Sequence, residues 1–143
     1  MTPRVIELTD LPRSDSNIAD ASVLVHRDAA FVSYDARSDP EVALIRFDRP
    51  WRVVTNGPND EGFHRHPYAS FGLGAYAIQE IVDSPWIPDV SASHSKHGRR
   101  DWLDGCRHFV IALKETTVDV AAERVSLVGL FDSHTKAMRA AIG

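Results

Sequence analysis

Apolar and polar side chains alternate with a period of two along most of this chain, the spacing of strands buried on one face. Residues 22–26 (SVLVH) and 29–34 (AAFVSY) flank Arg27 and Asp28 and predict a hairpin. Residues 42–47 (VALIRF) and 51–55 (WRVVT) predict a second pair, joined through the proline-containing turn Asp48, Arg49, Pro50. A strand over 75–84 (AYAIQEIVDS) puts Tyr76, Ile78, Glu80 and Val82 on one face. The clearest signal is 107–122 (RHFVIALKETTVDVAA), which predicts a hairpin turning at Glu115 and Thr116. That register sets Phe109 opposite Ala122, Ile111 opposite Val120 and Leu113 opposite Val118 on an apolar face. The other face pairs His108 with Glu123, Ala112 with Asp119 and Lys114 with Thr117. A further strand follows over 125–131.

The pattern turns helical in two places. Ser84 can cap a short helix with Pro85 at its first position, ending near 95–98 and sharing Trp86, Val90 and His94 on one face. A second helix is predicted over 133–142, capped by Asp132 or Ser133. Residues 1–20, with Pro3 and Pro12, read as an irregular N-terminal arm that tucks residues 5–8 against the body, leaving 21–143 as one β-rich domain. The expected fold class is α+β and β-rich: a mostly antiparallel curled sheet or sandwich with two short helices.

Composition narrows the function classes. With 143 residues, 43% of them apolar and 25% charged, the chain is an ordinary soluble domain able to bury its own core. A net charge of −4 gives no electrostatic reason to expect nucleic acid, and the one short basic cluster (Lys96, Arg99, Arg100) reads as a solvated loop. No apolar run approaches the ~18 residues of a spanning helix. The N-terminal segment lacks a secretory pattern, and the single cysteine, Cys106, rules out an intrachain disulfide. The expectation is a cytoplasmic protein with no membrane partner, and Cys106 is read as a small packing hydrophobe.

Residues 57–86 concentrate the chemistry. Asn59, Asp60 and Glu61 run into His64 and His66, a proline closes the loop, and Glu80 and Trp86 follow. These pieces, His64 excepted, with the pair Gly72 and Leu73, Ser84, Ile87, and then Arg107, His108 and Phe109, resemble a family of uncharacterised bacterial proteins of similar size, over roughly residues 40–122. That family carries no established activity. Its last hairpin turns through a His-Asp-Ser-Thr-like stretch, where this chain has Lys114, Glu115, Thr116 and Thr117.

Several constellations compete. His64 and His66 on an extended segment would point the same way and resemble a cupin's first metal motif, but the glycine spacing is one too long and the acid is missing. A third ligand would have to come from Glu61, His94 or His97, so no metal or other cofactor is assigned. Glu80, on an apolar strand face that would raise its pKa, is the candidate proton-transfer group, paired with His66. The simpler account has Glu80 accepting hydrogen bonds from the 59–61 loop and pinning it. No serine lies in a G-x-S-x-G elbow, and Ser84 is explained as a cap. The sequence therefore leads to a polar pocket for a small molecule, with Glu80 and His66 catalytic and Asn59, Asp60, Glu61, Trp86 and His108 binding. The alternatives are a non-enzymatic interaction or scaffold module, whose exposed edges take a partner or a second copy as a homo-oligomer, and a cupin-like metal-binding protein.

Overall fold

The structure, a computed structural model, describes residues 2–17, 21–37, 41–94 and 105–143. Nine strands among these residues form two antiparallel sheets. Strands β1 (Arg4–Glu7), β6 (Ile78–Val82), β7 (Arg107–Ala112), β8 (Thr117–Ala122) and β5 (Arg52–Val54) lie side by side in that order in the first. The second is ordered β2 (Ala21–His26), β3 (Ala29–Asp35), β4 (Val42–Asp48), β9 (Arg124–Phe131). Helices α1 (Trp86–His94) and α2 (His134–Ile142) complete the expected α+β sandwich. No helix among the described residues is long and apolar enough to cross a membrane.

Alternation explains the layers. Val32, Tyr34, Ile45 and Phe47 of one sheet meet Ile78, Phe109, Ile111, Val118 and Val120 of the other in the main core. The Phe47 and Phe109 rings tilt against each other with centroids 5.6 Å apart. On the outer face of the four-stranded sheet, Ala137 and Ala141 of α2 pack on Phe31, Val42 and Leu44. On the outer face of the five-stranded sheet, Val90 of α1 packs on Ala121 beside Trp51 and Ile87. Each helix starts at a serine: the Trp86 N–H donates to Ser84 Oγ, and the Lys136 N–H to Ser133 Oγ.

The tuck expected for residues 5–8 takes the form of a strand: β1 pairs along β6, Leu11 enters the main core, and the Tyr34 hydroxyl donates to the Pro12 carbonyl at 2.6 Å. Two expectations need correction. The segments 42–47 and 51–55 are not a hairpin. Both edges of β4 are occupied, by β3 and β9, so the chain turns at Arg49 (φ 52°) and Pro50 into the other sheet, where β5 pairs with β8. The β7–β8 hairpin turns one residue earlier, at Lys114 and Glu115, which shifts the pairing by two and sets Ile111 opposite Val118 and Phe109 opposite Val120. A slip of two preserves both faces, so alternation could not detect it; His108 now lies opposite Ala121, not Glu123. The helix end expected at 95–98 and the cluster at Lys96, Arg99 and Arg100 lie outside the described residues.

Candidate functional site

The two faces of the five-stranded sheet differ in chemistry. Its inner face is apolar but for the Glu80–Arg107 pair at the rim, whereas Gln79, His108, Thr117 and Asp119 share the outer face, and all four are buried. What buries them is a cover made of residues 56–77, including two short 3-10 turns (Phe63–Arg65 and Ala69–Phe71), together with α1. The cover is tied down group by group. Thr117 Oγ1 donates to the Pro58 carbonyl at 2.6 Å, and the Gly57 N–H donates to the Thr117 carbonyl at 3.0 Å. That approach requires glycine, since a Cβ at 57 would sit 2.9 Å from Thr117. Gln79 closes a pair of bonds with the Gly74 backbone, donating to its carbonyl at 2.8 Å and accepting from its N–H at 2.7 Å.

At the centre of this face is a four-membered side-chain relay. Ser84 Oγ lies 2.6 Å from His108 Nδ1, His108 Nε2 lies 2.6 Å from Asp119 Oδ2, and His66 Nε2 lies 2.8 Å from Asp119 Oδ1. Burial depresses the His108 pKa, against the opposing pull of Asp119. Burial raises the Asp119 carboxyl, but the hydrogen bonds from His108 and His66 outweigh it and hold the group below the ordinary carboxylate value. An ionised carboxylate only accepts, so both Nε2 atoms donate to it. A neutral His108 then accepts at Nδ1 from the Ser84 hydroxyl, while Ser84 Oγ accepts the Trp86 N–H. His66 Nδ1 accepts the Tyr68 N–H at 3.1 Å. Every proton has one direction, and every ring nitrogen a partner. The His108 ring is flanked by Trp86, with centroids 4.5 Å apart, and by Tyr68 edge-on at 5.2 Å.

Two members of the relay, His66 and Asp119, reach a cleft. A cavity of about 300 Å³ is lined by Val54, Gly57, Pro58, His66, Pro67, Tyr68, Trp86 and Asp119. The Asp119 side chain retains 12% of its exposure there. No family model, curated protein or solved structure matches this chain.

The relay has the composition of a nucleophilic triad, but not the rest of one. Pro85 follows Ser84 and has no N–H, and the next amide, Trp86, already donates to Ser84 Oγ, so neither offers an oxyanion donor. His108 is fully buried, leaving a departing group no approach to its Nδ1. What the arrangement provides is a fixed, ionised acceptor at the base of an apolar cleft.

The residues singled out from sequence divide sharply. His66, His108 and Trp86 converge as expected, but on Asp119 and not on Glu80. Glu80 lies on the other face of β6, where both its oxygens accept from Arg107, at 3.0 and 2.6 Å. The expected pairing of Glu80 with His66 is absent because adjacent strand positions face opposite ways. Nor does Glu80 pin the 59–61 loop. The Asp60 N–H donates to the Lys114 carbonyl and Asn59 Oδ1 accepts the Gly62 N–H, while the Asp60 carboxylate accepts the Tyr76 hydroxyl and pairs with Lys114 at 3.7 Å. Glu61 is exposed, and residues 59–61 do not line the cleft. His64 lies exposed in a 3-10 turn, not on an extended segment beside His66; His97 is outside the described residues. Among the described residues no group of three or more His, Cys, Asp or Glu is placed to hold a metal ion. Burial pushes the Cys106 thiol up to about 11, the condition of a packing residue. Sequence reasoning passed over Asp119, Gln79 and Tyr68. The available signal for Asp119 was parity: it is the one carboxylate within the two strands of this hairpin, on the same face as His108.

Proposed function

We propose that the domain binds a small, mostly apolar molecule between Val54, Pro58, Tyr68 and Trp86, with a hydrogen-bond donor of that molecule on Asp119. The observation that carries this reading is the position of the carboxylate. A buried charge is costly unless fully paired, and two imidazole N–H groups leave an ionised carboxylate with unused lone pairs. Those lone pairs sit in a mostly apolar concave surface, the usual chemistry of a small-molecule site. The test is a fragment screen read by NMR at the Trp86 indole, repeated in Asp119→Asn. Fragments that move Trp86 and bind about tenfold more weakly to the variant support the reading. Fragments indifferent to the substitution, or no binders at all, overturn it.

A second reading is favoured by the saturation of the imidazoles: the relay locks the cover to the sheet, and the domain is an interaction module. Val25, Val128 and Leu130 are exposed on β2 and β9, the two edge strands of the four-stranded sheet, and would serve such a partner. Under this reading Asp119→Asn lowers stability and changes binding of no small molecule.

A further inference from the structure

The hydrogen-bond directions fix the charge at the base of the cleft. His66 Nδ1 accepts a backbone N–H, a role closed to a protonated ring, so His66 meets Asp119 as a neutral donor. His108 does the same while accepting from Ser84. The relay therefore presents one uncompensated negative charge. Among the described residues neither lysine nor arginine lines the cleft. Arg52, one alternation along β5 from Val54, is held by Ser93 Oγ at 2.6 Å. Asp89, exposed on α1, adds its field: it and Asp119 both raise the Tyr68 hydroxyl pKa, after the larger effect of burial. The walls complete the description, since Trp86 and Tyr68 offer the aromatic surface that attracts cations.

Resting on the cleft reading above, we infer that the ligand is a small organic amine in its protonated form, its ammonium on Asp119 and its apolar body against Trp86 and Tyr68. The size is bounded as well. A cavity of about 300 Å³ corresponds, at ~30 Å³ for each water-sized unit, to roughly ten non-hydrogen atoms. An ammonium has three donors; the carboxylate takes one, and the open side of the cleft leaves others to water.

Three probes of one shape and different charge test this: 2-phenylethylamine, 2-phenylethanol and 3-phenylpropionate, titrated by calorimetry at neutral pH and low salt. The amine is expected to bind at least about tenfold tighter than the alcohol, with the carboxylate weakest. The preference should vanish in Asp119→Asn. It should shrink by about threefold in Asp89→Asn, an exposed change that leaves the core untouched and decides the matter even if the Asp119 variant does not fold. Alcohol binding as tight as amine, or an unchanged ratio in Asp89→Asn, overturns the amine assignment while leaving the cleft reading in place. Failure of all three probes to bind overturns both.

Discussion

Two relays built on the same serine-histidine-aspartate series lie on opposite outer faces of the sandwich. In the first, Ser84 meets His108 Nδ1 and His108 Nε2 meets Asp119. In the second, Ser33 Oγ lies 2.7 Å from His134 Nδ1, and His134 Nε2 lies 3.1 Å from Asp35. Surroundings separate them. His108 is fully buried, while the His134 side chain keeps 23% of its exposure at the first turn of α2. Asp119 binds a second imidazole and fronts a cleft; Asp35 closes β3 and ties a helix start to the sheet. A serine, a histidine and an aspartate in series therefore name no chemistry by themselves. Burial and access decide whether such a series is a clamp or the base of a site.

The largest expected difference comes from cutting each carboxylate. Asp119→Ala leaves two buried imidazole N–H groups unpaired and should cost about 3 kcal/mol or more of unfolding free energy. Asp35→Ala exposes its partner to water and should cost no more than about 1 kcal/mol. Urea denaturation of both variants at neutral pH compares them directly. Equal losses would mean that burial is not what distinguishes the relays.

How much of this was legible in the sequence follows from what alternation encodes. It encodes faces, so the β2–β3 hairpin, the core residues Phe109, Ile111 and Val118, and the apolar inner face of β7 and β8 were all readable. It does not encode partners. The strand after Pro50 pairs with β8 because β4 has no free edge, a fact set by the distant β9. Nor does alternation separate a polar face in water from one under a cover. His108 was therefore readable as a pocket residue without its carboxylate partner, and that role fell to Glu80, one position from the buried Gln79 that holds the loop. Ser84 was legible as a cap, yet its second bond, to His108, depends on the β6–β7 pairing and has no local signal.

Removing the serines sharpens the contrast at smaller scale. Ser84→Ala deletes a helix cap and strands the buried His108 Nδ1, a loss of about 2 kcal/mol. Ser33→Ala leaves His134 Nδ1 on a partly exposed ring, which solvent can reach, and should cost about half that. Thermal unfolding followed by circular dichroism is sufficient to rank the two. The reverse order would place the tighter clamp at α2.

Acid probes the first relay without mutation. His108, facing Asp119, His66, Ser84, Tyr68 and Trp86, has a folded-state pKa below its ordinary 6.5. Below 6.5 the unfolded chain takes up a proton that the folded chain refuses, so stability falls as pH drops, until the folded pKa is passed. One such proton costs at most about 1.4 kcal/mol per pH unit. The Asp119 carboxyl, also depressed, adds its loss only below the ordinary carboxylate pKa of 3.8. Unfolding free energies measured from neutral pH down to mild acid should slope accordingly in the wild type and flatten in His108→Gln. An equal slope in that variant would assign the titration to another group.

The smallest effect is expected where the sequence pointed first. Glu80→Gln removes a charge from the Arg107 pair at the rim of the inner face, where the Arg107 side chain is 40% exposed and lies over the Phe109 ring at 5.0 Å. An amide can still accept one of the two hydrogen bonds, and the guanidinium keeps its ring contact. The cost should be about 0.5 kcal/mol, that of a solvent-screened pair. Because the β6 backbone separates Glu80 from the relay, the imidazole NMR signals of His66 and His108 should not move. A shift in either ring would mean that the sheet transmits charge from one face to the other. In that case the two faces could no longer be treated as independent, and Glu80 would return to the site from which its side-chain direction removes it.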